Sequence, residues 1–266
     1  MNNQIEVYPD SEQRRRIMDF IMAAGQTLLE NGAEVFRVEQ TMEIMACSFH
    51  LREFHVYVLT NGIFASAGTA EISEVRNVPD RTIHLGRVDA VNTLSRQIAA
   101  GMLSLDEAES RLVQARRIPF PKNHIQLVAG TIGSFCFSLM FGGTLLSALV
   151  SGLAGLAASA YLLLCEQHGI PGGFQKISTA ALITVVSILG CLPLGAAASV
   201  SHAVIGALMI LTPGVAFTMG LRDFVHGDYL SGTIRMIDAI LIAASIAIGT
   251  GLVLGLYTWI TGVTVL

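Results

Sequence analysis

The stretch LTPGVAFTMGLRDFVHGDYLSGTIR, residues 211–235, decides how the rest of the chain is interpreted. Within it, Pro213 and Gly214 interrupt an apolar segment, and a cluster of charged residues precedes the next apolar segment. Proline lacks a backbone N–H and its ring clashes with the preceding helical turn, so the helix is predicted to kink or break there. Two interpretations stay open: a plain proline kink, or a break that opens a wet pocket of the kind in which transporters hold substrates.

Charged residues are distributed unevenly along the 266-residue chain. Residues 1–123 contain 13 Lys/Arg and 16 Asp/Glu, whereas residues 124–266 contain 3 and 4. The first part has a soluble composition and the second a membrane-like one, which indicates two domains. The net charge of −4 without a basic stripe argues against nucleic acid as a partner.

The first part, residues 1–118, is predicted to be a small cytosolic α+β domain. Asp10 or Ser11 is expected to cap a first helix, and Asn61-Gly62 predicts a β-hairpin. One or two further strands are expected at 71–78 and 81–85, before two more helices. The second helix carries a charged face that is either a solvated surface or a docking face for the membrane part or a partner: Glu34, Arg37, Glu39 and Glu43.

No motif for catalysis, metal binding or a cofactor is present in the sequence. The four cysteines lie far apart without a CxxC spacing, so they are expected to be buried free thiols.

The second part, residues 124–266, is predicted to cross the membrane five times, after a juxtamembrane linker at 119–123. Lys and Arg occur only in the connections on one side, which places the N-terminus in the cytosol and the C-terminus outside. The fold class is therefore an α-helical membrane protein with five transmembrane helices behind a cytosolic α+β domain. The expected spans are about 124–142, 145–165, 176–194, 200–221 and 235–260.

Small residues recur at every fourth position in three of these spans. Such stripes favour either ordinary helix packing within one subunit, or a functional surface that is a seam in a homo-oligomer or a sliding face. The stripes are Gly130, Ser134, Ser138 and Gly142; Ser147, Ser151, Gly155 and Ser159; and Ala239, Ala243, Ala247, Gly251 and Gly255.

The ionisable residues after the predicted break are candidates for function, because such groups are expensive near lipid. Arg222 or Arg235 is expected to bind a substrate carboxylate near Pro213-Gly214. The alternative is a salt-bridged cytosolic loop that fixes two helix ends. The candidates for carrying a coupling proton, or for pairing with those arginines, are Asp223, Asp228 and Asp238.

Two stretches, NGAEVFRVEQ at 31–40 and the block at 211–235, resemble the threonine/serine exporter family. The resemblance implies export of small amino acids or, in some relatives, of a dicarboxylate such as succinate, across a bacterial inner (plasma) membrane. Full-length members carry two membrane modules, whereas this chain has one. It is thus similar to the long subunit of the split two-component branch, which implies a small membrane partner subunit.

These observations predict a subunit of a proton-coupled secondary exporter, not an enzyme, that works in the lipid bilayer on a small-molecule substrate. Two other hypotheses remain open at this point. One is a membrane-tethered enzyme or sensor with an active cytosolic domain, and the other is a structural assembly subunit whose partner performs the transport.

Overall fold

A computed structural model describes residues 10–68, 72–79 and 82–263, and the chain falls into two compact units. The first unit comprises the chain up to Phe120 together with Thr218–Arg235. The second comprises Pro121–Phe217 and Met236–Leu266. The charged part of the stretch at 211–235 thus belongs to the same unit as the N-terminal residues.

The first unit begins with a helix whose predicted cap is confirmed. The side chain of Asp10 accepts a hydrogen bond of 2.7 Å from the backbone N–H of Gln13, which satisfies one of the free donors of the first turn. Apolar residues four apart, such as Ile17 and Ile21, are buried on one face of this helix. The first two helices are α1 (Ser11–Glu30) and α2 (Val35–Ser48).

The three strands β1 (His55–Leu59), β2 (Gly62–Ala67) and β3 (Ile72–Asn77) form an antiparallel sheet in chain order. The predicted hairpin is present, but its turn lies one residue earlier than expected. Gly62 pairs with Leu59, so the two connecting residues are 60 and 61. The pairing of Gly62 with Asn77 on β3 extends β2 by this residue.

The strand predicted at 81–85 is not formed over its described residues. His84 instead caps a helix, because its Nδ1 accepts a hydrogen bond of 3.2 Å from the backbone N–H of Arg87. Residues 71, 80 and 81 of the predicted strands and turn lie outside the described part of the chain. The remaining helices of this region are α3 (Leu85–Ala99) and α4 (Leu105–Arg116), which begins with a capping box between Ser104 and Glu107.

The second unit is built from apolar helices. Among the described residues, three helical segments are long and apolar enough to cross a membrane: Leu145–Gln167, Gly172–Ala197 and Tyr229–Thr261. The last of these begins within the first unit. The elements are α5 (Asn123–Met140), α6 (Leu145–Gln167), α7 (Gly172–Cys191), a 3₁₀ segment (Leu192–Ala197), α8 (Val200–Leu208), α9 (Gly214–His226) and α10 (Tyr229–Thr261).

Two of the three small-residue stripes pack against each other within the chain. An added Cβ at Gly155 of α6 would lie 2.7 Å from the carbonyl oxygen of Gly130 on α5. The hydroxyl of Ser151 donates a hydrogen bond of 3.0 Å to the carbonyl of Ser134. Small residues therefore bring α5 and α6 into close contact, whereas Gly251 and Gly255 of α10 have open space beside them.

The predicted interruption of the fourth apolar segment is present. Helix α8 ends at Leu208 and α9 begins at Gly214, so the expected span at 200–221 consists of two helices rather than one. Between them the backbone continues in tighter turns, with the N–H of Leu211 donating to Leu208 at 2.9 Å.

The cysteine prediction is only partly right. All four thiols are free, but Cys47 and Cys136 are exposed, whereas Cys165 and Cys191 are buried. Cys136 lies on α5, and Cys47 lies near the end of α2.

Candidate functional site

The connection between α1 and α2 shapes one side of the candidate site. Gly32 has a φ of +87°, a left-handed conformation that glycine adopts without steric strain. The side chain of Asn31 donates a hydrogen bond of 2.7 Å to the carbonyl of Thr27, which fixes the end of α1. The chain then turns so that Ala33 and Glu34 precede α2 and contact residues from 218–235.

Arg222 makes the first of these contacts, within the first unit. Its Nη1 donates to Oε1 of Glu34 at 2.5 Å, and its guanidinium lies 5.3 Å from the ring centroid of Phe36. The imidazole of His226, one turn along α9, stacks on the same ring with centroids 4.3 Å apart. The Arg222 side chain keeps 47% of its surface exposed, so its guanidinium is held in place yet reachable from solvent.

Arg235 makes the second contact and is much less accessible. Its Nε lies 3.0 Å from Oδ2 of Asp223, and these side chains are 9% and 1% exposed. Its Nη2 also donates to the carbonyl of Ala33 at 3.4 Å, and Nη1 lies 3.2 Å from the sulfur of Met219. Burial raises the pKa of the Asp223 carboxyl, while the positive charge of Arg235 opposes that change. The pair is therefore an internal ion pair that joins α9, α10 and the start of α2.

Asp228 lies in the turn between α9 and α10, and its negative charge affects the pKa of Glu39 on α2. Glu39 accepts a hydrogen bond of 2.8 Å from the backbone N–H of Val58 on β1. Burial raises the pKa of Glu39, the Val58 hydrogen bond lowers it, and the negative charges of Asp228 and Glu43 raise it further. The α2 face is thus not uniformly solvated: Glu34 and Glu39 bind other segments, whereas Glu43 is exposed.

The structure brings together four of the seven predicted site residues. Arg222, Asp223, Asp228 and Arg235 cluster in the first unit, where Asp223 and Arg235 form the predicted kind of pair. The other three lie in the second unit: Pro213, Gly214 and Asp238.

Sequence reasoning missed Ala33, Phe36 and the pairing of Glu34 with Arg222. A signal was present, because the two stretches that carry the family resemblance are the two that meet here. Their contacts link residues 188 and 202 positions apart in the chain.

Comparison with known proteins gives the family. The family model described as "Putative threonine/serine exporter" matches residues 19–257. The chain is 23% identical over 245 residues to a "Probable threonine/serine exporter" of Mycobacterium tuberculosis, a match covering 90% of this chain and 46% of that protein. It is 21% identical over 260 residues to "Pheromone-regulated membrane protein 10" of Eremothecium gossypii, covering 94% of this chain and 34% of that protein.

No solved structure matches the chain significantly. The chain spans less than half the length of the two relatives described above. The family match, in contrast, includes both stretches of the candidate site and extends across both units of the structure. The chain belongs to the threonine/serine exporter family of membrane transport proteins.

Proposed function

We propose that this chain is a subunit of a proton-coupled secondary exporter that moves small carboxylate-bearing metabolites out of the cytosol. The substrates are threonine and serine or a dicarboxylate such as succinate. The observation that carries the proposal is the Arg222 guanidinium, half exposed and already bound to a carboxylate. Arginine suits this role because its planar fork matches the geometry of a carboxylate.

Substrate binding proceeds by exchange of one carboxylate for another. The Glu34 carboxylate is the ligand that a substrate carboxylate replaces on Arg222, with the Phe36 ring supporting the guanidinium from one side. Arg235 is less suited, since its buried partner Asp223 would be left without a counter-charge. Pro213 and Gly214, which lie at the break between α8 and α9 in the second unit, are proposed as further substrate-binding residues.

Proton coupling is assigned to one of three carboxylates. Asp223 is the first choice, because burial favours its protonated form and protonation would weaken its hold on Arg235. Asp228 and Asp238 are the other candidates.

The proposed topology has five crossings of a bacterial inner membrane, with the N-terminus in the cytosol. Three crossings are the long apolar helices of the structure; α5 and the interrupted α8–α9 segment supply the others. Cations are concentrated at the ends of the crossings that are assigned to the cytosolic side, including Lys122, Lys176 and Arg222.

A small membrane subunit is proposed to provide a second membrane module. Transporters commonly place their substrate site between two repeats, and the matched region covers less than half of each relative.

The test is efflux of labelled threonine, serine and succinate from cells that produce the full chain, alone and with the small membrane subunit. Arg222→Gln should reduce efflux by roughly tenfold or more, because a hydrogen bond to a charged group contributes about 1.5–3 kcal/mol. Glu34→Gln should retain efflux and lower the substrate concentration for half-maximal rate, since it removes the competing carboxylate.

Arg96→Gln is the matched control, because Arg96 is exposed on α3 and its guanidinium donates to the hydroxyl of Thr93 one turn away. Efflux by Arg222→Gln at the rate of Arg96→Gln would remove the proposed site. If no labelled substrate leaves cells that hold both subunits, the exporter proposal itself fails.

A further inference from the structure

The second unit contains a buried polar cluster that none of the candidate residues above explains. Four serines of α5 and α6 have no exposed surface: Ser134, Ser138, Ser147 and Ser151. Within the described part of the chain, the hydroxyls of Ser134 and Ser138 and the Nδ1 of His202 are buried without a hydrogen-bond partner. Buried polar groups are nearly always paired, so three such atoms in one region call for a functional explanation.

His202 lies beside one of these serines, Ser138. It sits in the first turns of α8, and its backbone N–H donates to the hydroxyl of Ser199 at 3.5 Å. An added Cβ at Gly143 would lie 2.7 Å from the Ser138 hydroxyl and 3.1 Å from the Cβ of His202. His202 and the unpaired hydroxyl of Ser138 therefore both lie next to Gly143, in the turn that joins α5 to α6.

No acidic or strongly basic side chain occurs near this cluster in sequence. Residues 134–152 and 184–206 contain no Asp, Glu, Lys or Arg, and His202 is their one histidine. The titratable groups at this end of the packed helices are the thiols of Cys136 and Cys191 and the phenol of Tyr257.

The remaining titratable groups of α5, α6, α7 and α10 lie toward the opposite ends of their helices. Among them, Glu166, Lys176 and Asp238 are each roughly 20 Å or more along their helices from this end, at 1.5 Å per residue. They are His124, Tyr161, Cys165, Glu166, Lys176, Tyr229, Arg235 and Asp238.

The packing of α8 is tight one helical turn beyond His202. An added Cβ at Gly206 would lie 2.6 Å from both the Cβ of Ser138 and the hydroxyl of Ser151. A methyl group is therefore excluded at this contact of α8 with α5 and α6. A proton requires no such space, and histidine is the side chain that binds and releases protons near neutral pH.

We propose that His202, beside the hydroxyl of Ser138, binds and releases a proton during export. This inference rests on the proposed proton-coupled export and adds a residue to it. The unprotonated ring nitrogen takes one proton from a hydronium ion, which leaves a water molecule, and the ring gains one positive charge. On release the same N–H bond breaks and the proton returns to a water molecule. The residue is half-buried and its Nδ1 is enclosed, so a positive charge on the ring is unfavourable there, and protonation favours a hydrated arrangement over the packed one described here.

The experiment uses cells of the source organism in which the chromosomal copy encodes His202→Gln or His202→Asn. Efflux of labelled threonine is measured at external pH of about 5.5 and about 7.5, on either side of the usual histidine pKa. Threonine–threonine exchange, which needs no net proton movement, is measured in the same cells. His168→Gln is the control, because His168 follows α6 and is exposed.

The wild type and His168→Gln should export faster at the acidic external pH. Both His202 variants should lose this acceleration and retain exchange at the wild-type rate. Acceleration that persists in His202→Gln overturns the inference, as does loss of exchange in both variants, which would assign His202 a structural role. Export by the wild type without any response to pH overturns the inference and the proton coupling, but leaves export of small metabolites standing. Absence of export of threonine, serine and succinate overturns the proposed function as a whole.

Discussion

The two units of this protein differ in the kind of polar group that they bury. In the first unit, the side chains of Asp223 and Arg235 are buried as an ion pair at 3.0 Å. In the second unit, the buried polar groups between α5, α6 and α8 are mainly small hydroxyls, such as those of Ser138 and Ser151. A buried full charge is strongly destabilising unless an opposite charge lies close by. Small side chains with hydroxyl groups carry no charge, and they allow helices to pack closely.

Breaking the ion pair of the first unit should have the largest effect. Asp223→Asn leaves Arg235 with a buried, uncompensated charge, and we expect a loss of about 3–5 kcal/mol in the free energy of unfolding. The measurement is denaturant unfolding of the full chain in detergent, with hydrogen exchange of residues 218–235 to localise the change. Asp223→Leu combined with Arg235→Met should recover most of the loss, since an apolar pair of similar volume leaves no charge.

Asp19→Asn is the control for this prediction. Asp19 lies 3.3 Å from Arg76, but its side chain is 62% exposed, so the expected change is within about 0.5 kcal/mol. Equal stability of Asp223→Asn and Asp19→Asn would show that the buried pair is not what holds 218–235 in the first unit.

Close packing in the second unit should be the next most sensitive feature. Gly155→Ala places a Cβ 2.7 Å from the carbonyl of Gly130, and such overpacking costs about 1–3 kcal/mol. Gly251→Ala on α10 meets no atom within 4 Å and should be neutral or stabilising by up to about 1 kcal/mol, because alanine favours helix. Thermal unfolding of both variants in detergent measures the difference.

The Gly251 variant also tests the predicted seam on α10. Ala243, Ala247, Gly251 and Gly255 are exposed within this chain, so their packing cannot explain their spacing here. If Gly251→Ala is as damaging as Gly155→Ala, another subunit covers this stripe. If Gly155→Ala is harmless, the contact between α5 and α6 is looser than described.

The sequence predicted features that local rules determine. The Asp10 cap, the capping box at Ser104 and the interruption at Pro213 each depend on residues within one helical turn. The prediction of a strand at 81–85 was wrong over the described residues, because His84 caps helix α3. The hairpin turn lies one residue earlier than predicted, because Gly62 pairs with Asn77 of β3 and so belongs to β2.

The sequence predicted which residues form the candidate site but not which contacts they make. Arg222, Asp223 and Arg235 were identified because they are charged residues close to apolar segments, whereas their partners could not be deduced from spacing. The Glu34–Arg222 pair joins residues 188 positions apart, and no periodic pattern encodes such a contact. The hydroxyl cluster was visible only as a stripe of small residues, and the polar atoms left without partners emerged only from the packing.

The smallest expected effect concerns Glu39, a part-buried carboxylate whose hydrogen bond comes from a backbone N–H rather than a cation. Its pKa is raised in the folded protein, so the folded state binds the proton more tightly than the unfolded state. The contribution of Glu39 to stability is therefore greatest at low pH and declines as pH rises from its ordinary pKa of 4.5 through the raised value. Glu39→Gln keeps an oxygen that can accept from the N–H of Val58 and removes this decline in stability.

Denaturant unfolding of the wild type and Glu39→Gln between acid and neutral pH should show the wild type losing stability relative to the variant as pH rises. A difference that stays constant or grows in the opposite direction would mean that burial is not the dominant influence on this carboxylate, and that the first unit can hold a charge without a nearby cation.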